Sequence, residues 1–386
     1  MKIGALVLLS VVLGLVSGQF VKAQDESLYK RIREIEADTS KDNLQYAAWQ
    51  FSFIGEYQKA MAAYDSDIEG NSDPKAKEIP KDLKPQPAVE YILNLSRNSQ
   101  VVILNEAHHQ PLHRVFTESL LQGLYNNGFR YLGLEALAED SLINIRKYPL
   151  QSDGYYTVEP QFGNMLRKAL ELGFTVFGYE ADSSGSVREK GQAANINKIL
   201  LKDPTAKMLI HCGFSHVIEG PVPNWGKAMA GELKELTGIN PLTIDQVDLT
   251  EQSSENYESG YYLPDGINEP TVFINPKGEP VNLSTDSRET DLQIMHPRSQ
   301  LIHGRPNWLL RGNSYKPFKL DKLAHRIKFP CLVAAFRANE SKDSVPVDQI
   351  EVNNHNDKAL MLPAGKYRIV LTDADGKIHE KITTIL

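Results

Sequence analysis

The stretch Asn105-Glu106-Ala107-His108-His109 puts one carboxylate and two imidazoles within five residues, directly behind the apolar run of residues 101–104. Imidazoles exchange protons near neutral pH, and a neighbouring carboxylate fixes which ring nitrogen carries the proton. The pattern therefore suits general acid–base work on a water molecule, or the holding of a divalent ion. Other short apolar runs end in groups of the same kind. Glu135 closes YLGLEA, Glu180 and Asp182 follow FTVFGY, and His211 and His216 lie at and after the end of KMLIHC. Arg188 adds a cation able to pair with Glu135, Glu180 or Asp182, or to steady a developing negative charge. Pro111 falls in the first turn of the next helix, which leaves His109 in the loop and puts His113 on the helix surface.

Groups so far apart in sequence meet only if the elements carrying them deliver them to one place. VVILN (101–105), YLGLEA (131–136), FTVFGYE (174–180), KMLIHC (207–212) and PLTIDQ (241–246) are short runs rich in branched and aromatic residues. Between them lie helical patterns: PLHRVFTESLLQGLYNN, PQFGNMLRKALEL, SVREKGQAANINKILL and NWGKAMAGELKEL. Buried strands alternating with such helices predict an α/β fold, with a mostly parallel sheet flanked by helices on both faces. In such a sheet the loops leaving the carboxyl ends of the strands line the crevice, and those loops carry the ionisable groups. The convergence of four segments, more than any single histidine, is the signal for a site.

The rest of the chain divides around this sheet. Residues 1–23 have a short basic start, an apolar run and a Val21-Lys22-Ala23 cleavage pattern, and are expected to be an export signal. The expected destination is the periplasm or the extracellular space, with no membrane span in the mature chain, because the apolar run is too short. Residues 24–90 read as a helical pair packed on the main domain, followed from 71 to 87 by a Pro-rich linker or extended surface crossing. Residues 91–315 form the main domain, in which 250–315 is an irregular extension around the sheet. Residues 316–386, with alternating strands and Ala-Gly and Asp-Gly turns, read as a small β-sandwich-like domain.

In 386 residues the composition is 41% hydrophobic and 24% charged, that of a globular protein, and the net charge is −7. Nucleic acid is excluded as an expected partner on that charge, leaving a small-molecule or peptide substrate. Cys212 and Cys331, more than a hundred residues apart, suggest no disulfide framework or CxxC site and are expected to be free and buried.

The ordered motifs also resemble those of the erythromycin esterase / ChaN / Tiki-type superfamily. The resemblance rests on NEAHH after a strand, the Glu closing the next strand, GYEAD, REKGQAANI and IHCGFSH, and covers residues 98–248. Two positions depart from the family pattern: Asn105 stands where it has Gly, and Gln192 where it has Met. The resemblance implies one of three chemistries, namely a metal-free esterase using His-activated water, a metal-dependent protease, or a haem-binding protein.

The leading expectation is a hydrolase attacking an ester, lactone or amide carbonyl. His109 or His108 is the general base, oriented by Glu106 or another carboxylate, and His216 or His211 polarises the carbonyl or protonates the leaving group. Arg188 steadies the oxyanion. No G-x-S-x-G elbow occurs, and Cys212 falls in a buried strand end, which disfavours a protein nucleophile. No cofactor is needed for this reading. The alternatives are a divalent metal on Glu106, His109, Glu180 and His216, with His108 or His211 as substitutes, and a haem or small-ligand binder with Tyr155, Tyr156, Tyr179 and Trp225 lining a flat pocket. The chain has no CxxCH attachment motif.

Overall fold

A computed structural model describes residues 28–38, 43–68, 77–138, 141–222, 226–284, 289–320, 327–354 and 357–386. The expected export signal, Trp225 and residues 71–76 of the Pro-rich stretch lie outside the described residues. The chain opens with helices α1 (Ile32–Ala37), α2 (Leu44–Phe53), α3 (Tyr57–Asp65) and α4 (Ala88–Ser96). An alternation follows: β1 (Val101–Glu106), α5 (Leu112–Asn126), β2 (Tyr131–Leu134), α6 (Ile143–Arg146), α7 (Pro160–Leu172), β3 (Thr175–Gly178), α8 (Gly185–Lys202), β4 (Met208–Gly213), α9 (Met229–Thr237) and β5 (Leu242–Asp245). A two-residue strand, β6 (Leu292–Gln293), completes a six-stranded sheet in the order β6-β5-β1-β4-β2-β3, with every neighbouring pair parallel.

Strand side chains alternate between the two faces, and the sequence fills both with apolar groups. Val102 and Leu104 of β1, Leu209 of β4 and Leu132 and Leu134 of β2 pack under α4, α5 and α7. Val101, Ile103, Met208, Ile210 and Cys212 pack under α8 and α9. Burial on both faces is why these runs read as continuous hydrophobic segments. β6 escaped the sequence reading because two residues make no run; it lies in the 250–315 extension and pairs through Leu292 and Gln293. Of the two readings of the Pro-rich stretch, its described end is the extended one: Lys84–Pro87 pairs antiparallel with Thr271–Ile274. Prolines at 85 and 87 are tolerated in this two-stranded ribbon because a strand with one neighbour offers only one side to a ladder.

The carboxyl-terminal region is an antiparallel sheet of β7 (Cys331–Arg337), β8 (Asp348–Val352), β9 (Gly365–Thr372) and β10 (Ile378–Ile385), in the order β8-β7-β9-β10. The pair Tyr315–Phe318 and Leu360–Pro363 covers one face, enclosing Val333, Ala335, Ile350, Leu360, Tyr367 and Ile369. Cys331 and Cys212 are free and buried. No helix among the described residues is long and apolar enough to cross a membrane.

The helical hairpin α2–α3 bridges the two sheets. Its turn at Gly55, with φ 73°, presses on the Gln349 carbonyl and leaves no room for a Cβ. Behind the turn Arg305 forms a bidentate pair with Asp348 at 2.9 and 3.1 Å, both side chains 1% exposed. Asp348 also accepts from the Met361 amide at 2.6 Å. Replacing Arg305 with Leu would strand a buried carboxylate, so Arg305→Leu is expected to lower unfolding free energy by about 3–5 kcal/mol, measured by urea denaturation.

Candidate active site

β1 and β4 are adjacent and parallel, with Glu106 opposite Gly213 and Leu104 opposite His211. The period of two puts Glu106, His211 and Gly213 on the face of the sheet covered by α5 and α7. Glu106 is 2% exposed and is clamped by Arg114 of α5, whose Nε and Nη2 donate to its two oxygens at 2.6 and 2.8 Å. Arg114 Nη1 donates to Glu159 at 3.1 Å, and Nη2 also donates to the His108 carbonyl at 2.9 Å. Glu159 caps α7 by accepting from the Phe162 amide at 2.8 Å. Burial alone would raise the Glu106 carboxyl, but Arg114 outweighs it and holds it well below the usual carboxylate range. Glu106 is therefore a fixed negative charge.

That charge orients His108. Its Nδ1 lies 2.8 Å from Glu106 Oε1 and donates to it, which leaves the lone pair on Nε2. The ring is seated over the bare α-carbon of Gly213: a Cβ there would fall 2.5 Å from Nε2 and 3.2 Å from Glu135 Oε2. The His108 side chain is 12% exposed, the most open imidazole among those bound to Glu106 or Glu135. One face of its ring is covered by Tyr156, stacked with centroids 4.0 Å apart.

A second arginine organises the other half. Arg188 Nε donates to Glu180 at 2.9 Å, Nη2 donates to Glu135 and Glu180 at 2.5 Å, and Nη1 faces His216 Nε2 at 2.9 Å. Glu135 Oε2 accepts from the Gly213 amide at 2.6 Å. Burial raises the Glu135 carboxyl, but His216 and Arg188 bring it down to about 2. His216 Nδ1 binds Glu189 at 2.7 Å, and the same Glu189 oxygen accepts from the Met229 amide at the start of α9. Burial lowers the His216 pKa, yet Glu135 and Glu189 more than offset this and it lies above the usual imidazole value. The Arg188 contact opposes them, since guanidinium can only donate and Nε2 accepts only when unprotonated.

The eight residues singled out from the sequence thus fall unequally. Glu106, His108 and His211 gather around Arg114, with His211 Nε2 3.6 Å from Glu106 and 2% exposed. Glu135, Glu180 and His216 gather around Arg188. Gly213 joins the halves. His109 stands apart: it is 1% exposed, stacks on Tyr64 at 3.9 Å, and neither ring nitrogen has a hydrogen-bond partner among the described residues. Asp182 is exposed and outside the network. His113 is not on the helix surface but wholly buried, its Nδ1 accepting from the Ala107 amide at 3.0 Å.

Arg114, Glu159 and Glu189 were not read from the sequence, and Tyr156 was read there as a pocket aromatic rather than as the ring stacked on His108. A signal existed for Arg114, since α5 buries positions 113, 114, 117, 120, 121 and 124, and a charge in that stripe is unusual unless paired. Asn105, the departure from the family's Gly, ties three strand ends together. Its side-chain amide donates to the Phe214 carbonyl at 3.0 Å and to Asp245 at 2.7 Å, and its oxygen accepts from the Gln246 amide at 2.8 Å.

The side chains do not fit the expected metal set. Glu106 is taken by Arg114 and His108, Glu180 by Arg188, His216 by Glu189 and Arg188, and His109 lies under Tyr64. Among the described residues no group of three or more His, Cys, Asp or Glu side chains is arranged to hold a metal ion. Nor do the described aromatics share a flat pocket. Tyr156 packs on the α5–α7 face, Tyr179 is in the α8–α9 core with its hydroxyl donating to the His211 carbonyl, and Tyr155 packs against α2.

No protein family description matches the chain, and no curated protein does. Among solved structures it is similar to the type III effector HopBA1, over 57% of this chain and 99% of the effector, with 12% identity and a TM-score of 0.35. It is similar to the RRSP effector domain of a MARTX toxin from Vibrio vulnificus CMCP6 over 38% of this chain and 34% of that one, with 16% identity and a TM-score of 0.28. ChaN of Campylobacter jejuni, described with cofacial haem binding, is similar over 54% of this chain and 92% of its own, with 10% identity and a TM-score of 0.29. Likenesses this distant assign no activity, ligand or partner.

Buried neutral histidines make the fold acid-sensitive. Burial pushes His109 to about 3, His211 to about 4 and His296 to about 3, against 6.5 for the free side chain. Between pH 6.5 and 4 the unfolded chain binds protons that the folded one refuses, so stability falls as pH drops through that window. Each group contributes up to about 1.4 kcal/mol per pH unit. Urea unfolding between pH 7 and 5 is expected to show this slope, and His109→Gln to reduce it by up to one proton.

Proposed function

We propose that the chain is a hydrolase that attacks an ester, lactone or amide carbonyl with water activated at His108. The observation that carries the reading is the 2.8 Å contact between His108 Nδ1 and a Glu106 carboxylate kept charged by Arg114. An anionic partner at Nδ1 strengthens Nε2 as a base and stabilises the imidazolium that forms when it takes the proton. Water loses a proton to Nε2 as its oxygen bonds to the carbonyl carbon. The same proton then passes to the leaving group as the tetrahedral intermediate collapses.

Arg188 supplies the electrostatic half. Of the five N–H bonds of a guanidinium, Nε–H and both on Nη2 serve Glu180 and Glu135, and one on Nη1 meets His216. The second Nη1 hydrogen can serve the oxyanion, in a site dry enough for one such bond to matter. In this reading His216, set by Glu189, positions Arg188, while His211 lies behind Glu106 and does not touch substrate. Of the two bases considered, His108 is favoured over His109, because His108 Nδ1 is held by Glu106 while neither ring nitrogen of His109 has a hydrogen-bond partner among the described residues to fix its tautomer. The substrate is a small molecule or a peptide, and export of the chain remains part of the proposal on the strength of residues 1–23.

The test is a panel of esters, lactones and peptides offered to wild type and to His108→Ala. The substitution is expected to lower kcat about 10²–10⁴-fold, with chelator leaving the wild-type rate unchanged. Hydrolysis that survives His108→Ala, or that requires added metal, overturns the reading. Gly213→Ala, which pushes the imidazole off its seat, is expected to cost roughly a hundredfold in kcat while leaving circular dichroism unaltered.

A further inference from the structure

We infer that the α2–α3 hairpin is a lid over the Glu106–His108 pair, anchored on the carboxyl-terminal β-sheet, and that its tip must swing away for substrate to enter. The inference builds on the proposed site but rests on separate observations. Tyr64, at the tip of α3, stacks on His109 at 3.9 Å and lies parallel to Phe214 at 5.9 Å. Trp49 of α2 meets Tyr156 edge-on at 5.4 Å, and Tyr156 in turn covers the face of His108. An aromatic layer two rings deep therefore lies on one side of the base, with the hairpin as its outer member.

The two ends of the hairpin are held differently. At the turn, Gln349 Nε2 donates to the Phe53 carbonyl at 3.3 Å and Lys358 pairs with Glu56. Just before the hairpin, Arg31 donates to the Pro330 and Thr372 carbonyls at 3.2 and 3.0 Å, and the Ile32 amide donates to Glu351 at 2.9 Å. Apart from the Gln349 amide, these are charge-assisted bonds to residues of the β-sheet region, and together they make a base. At the tip, the hydrogen bonding among the described residues centres on Ser253, whose amide donates to Asp65 Oδ2 at 2.7 Å. The same interface leaves Trp49 Nε1, Asp65 Oδ1 and both nitrogens of His109 buried without a partner among the described residues. Unpaired buried polar groups oppose closure, because water would satisfy each of them once the tip lifts. Stacking rings on one side and orphaned donors and acceptors on the other give a closed state that is marginal at the tip and firm at the turn. Local opening of this kind is expected where few polar contacts hold an element.

Phe214 is the fixed member of the contact. Its φ of 40° is a left-handed conformation that a bulky side chain adopts at a cost, and its carbonyl is held by Asn105. The ring is thereby presented between His108 and Tyr64, edge-on to the first at 5.2 Å and parallel to the second.

The experiment is residue-resolved carbethoxylation of the full chain with diethylpyrocarbonate near pH 6.5, read by mass spectrometry. His109 and His296 are both almost fully buried and both neutral at that pH, so a large difference in their rates reports how often each is uncovered. His109 lies under the lid; His296 lies in the α5 core, edge-on to Phe116. Opening predicts that His109 reacts at least about tenfold faster than His296, and that Tyr64→Ala raises the His109 rate further without changing that of His296. Equal rates in the wild type, or a His109 rate indifferent to Tyr64→Ala, would overturn the lid. If the variant speeds His296 as well, its fold is lost and the wild-type ratio alone decides. Catalysis is not read at any step, so failure here is distinct from failure of the hydrolase reading.

Discussion

A guanidinium that is 0% exposed and a carboxylate that is 2% exposed hold this protein's candidate site together. Neither Arg114 nor Glu106 would be tolerated alone in that position, because an isolated ion in the interior costs far more than a lost hydrogen bond. Paired and bidentate, they fix the end of β1 against α5, and through Glu159 against the first turn of α7. The pair also keeps Glu106 charged and sets the tautomer of His108, while His211 behind it is kept neutral by its burial against the pull of Glu106. Stability and chemistry draw on the same two groups.

The Arg188 cluster repeats the device at the next pair of strands, with differences that suit another role. Its arginine is shared by Glu135 and Glu180, and its carboxylates reach nearer to solvent, Glu180 being 38% exposed. A more open guanidinium can give up a hydrogen bond to a ligand at lower cost than a sealed one. In the proposed hydrolase the first cluster would hold the base still and the second would meet the developing charge.

Much of the architecture was legible because a parallel sheet buried on both faces writes its strands as apolar runs, and the helices between them keep a 3.6-residue period. The runs ending in Glu106, Glu135, Glu180 and His211 marked the sheet edge at which these groups gather. Which of those groups touch depended on strand order, and β4 lying between β1 and β2 cannot be read from runs alone. The contributions of Arg114, Glu159 and Glu189 lie on helices, where a lone charge looks like a solvated surface residue until the buried face is known. His109 and His108 were indistinguishable in sequence. One residue of displacement along a loop turned the first under Tyr64 and the second onto Gly213. The short β6 and the pairing of Lys84–Pro87 were lost for want of length and pattern.

The floor beneath the site is a single peptide unit. Gly213 gives its α-carbon to the imidazole of one cluster and its N–H to the carboxylate of the other. Because both groups rest on Gly213, a displacement of the end of β4 would carry the two supports together rather than one against the other. A spacing that reactions need to fractions of an ångström is thus protected by sharing a support rather than by stiffening two.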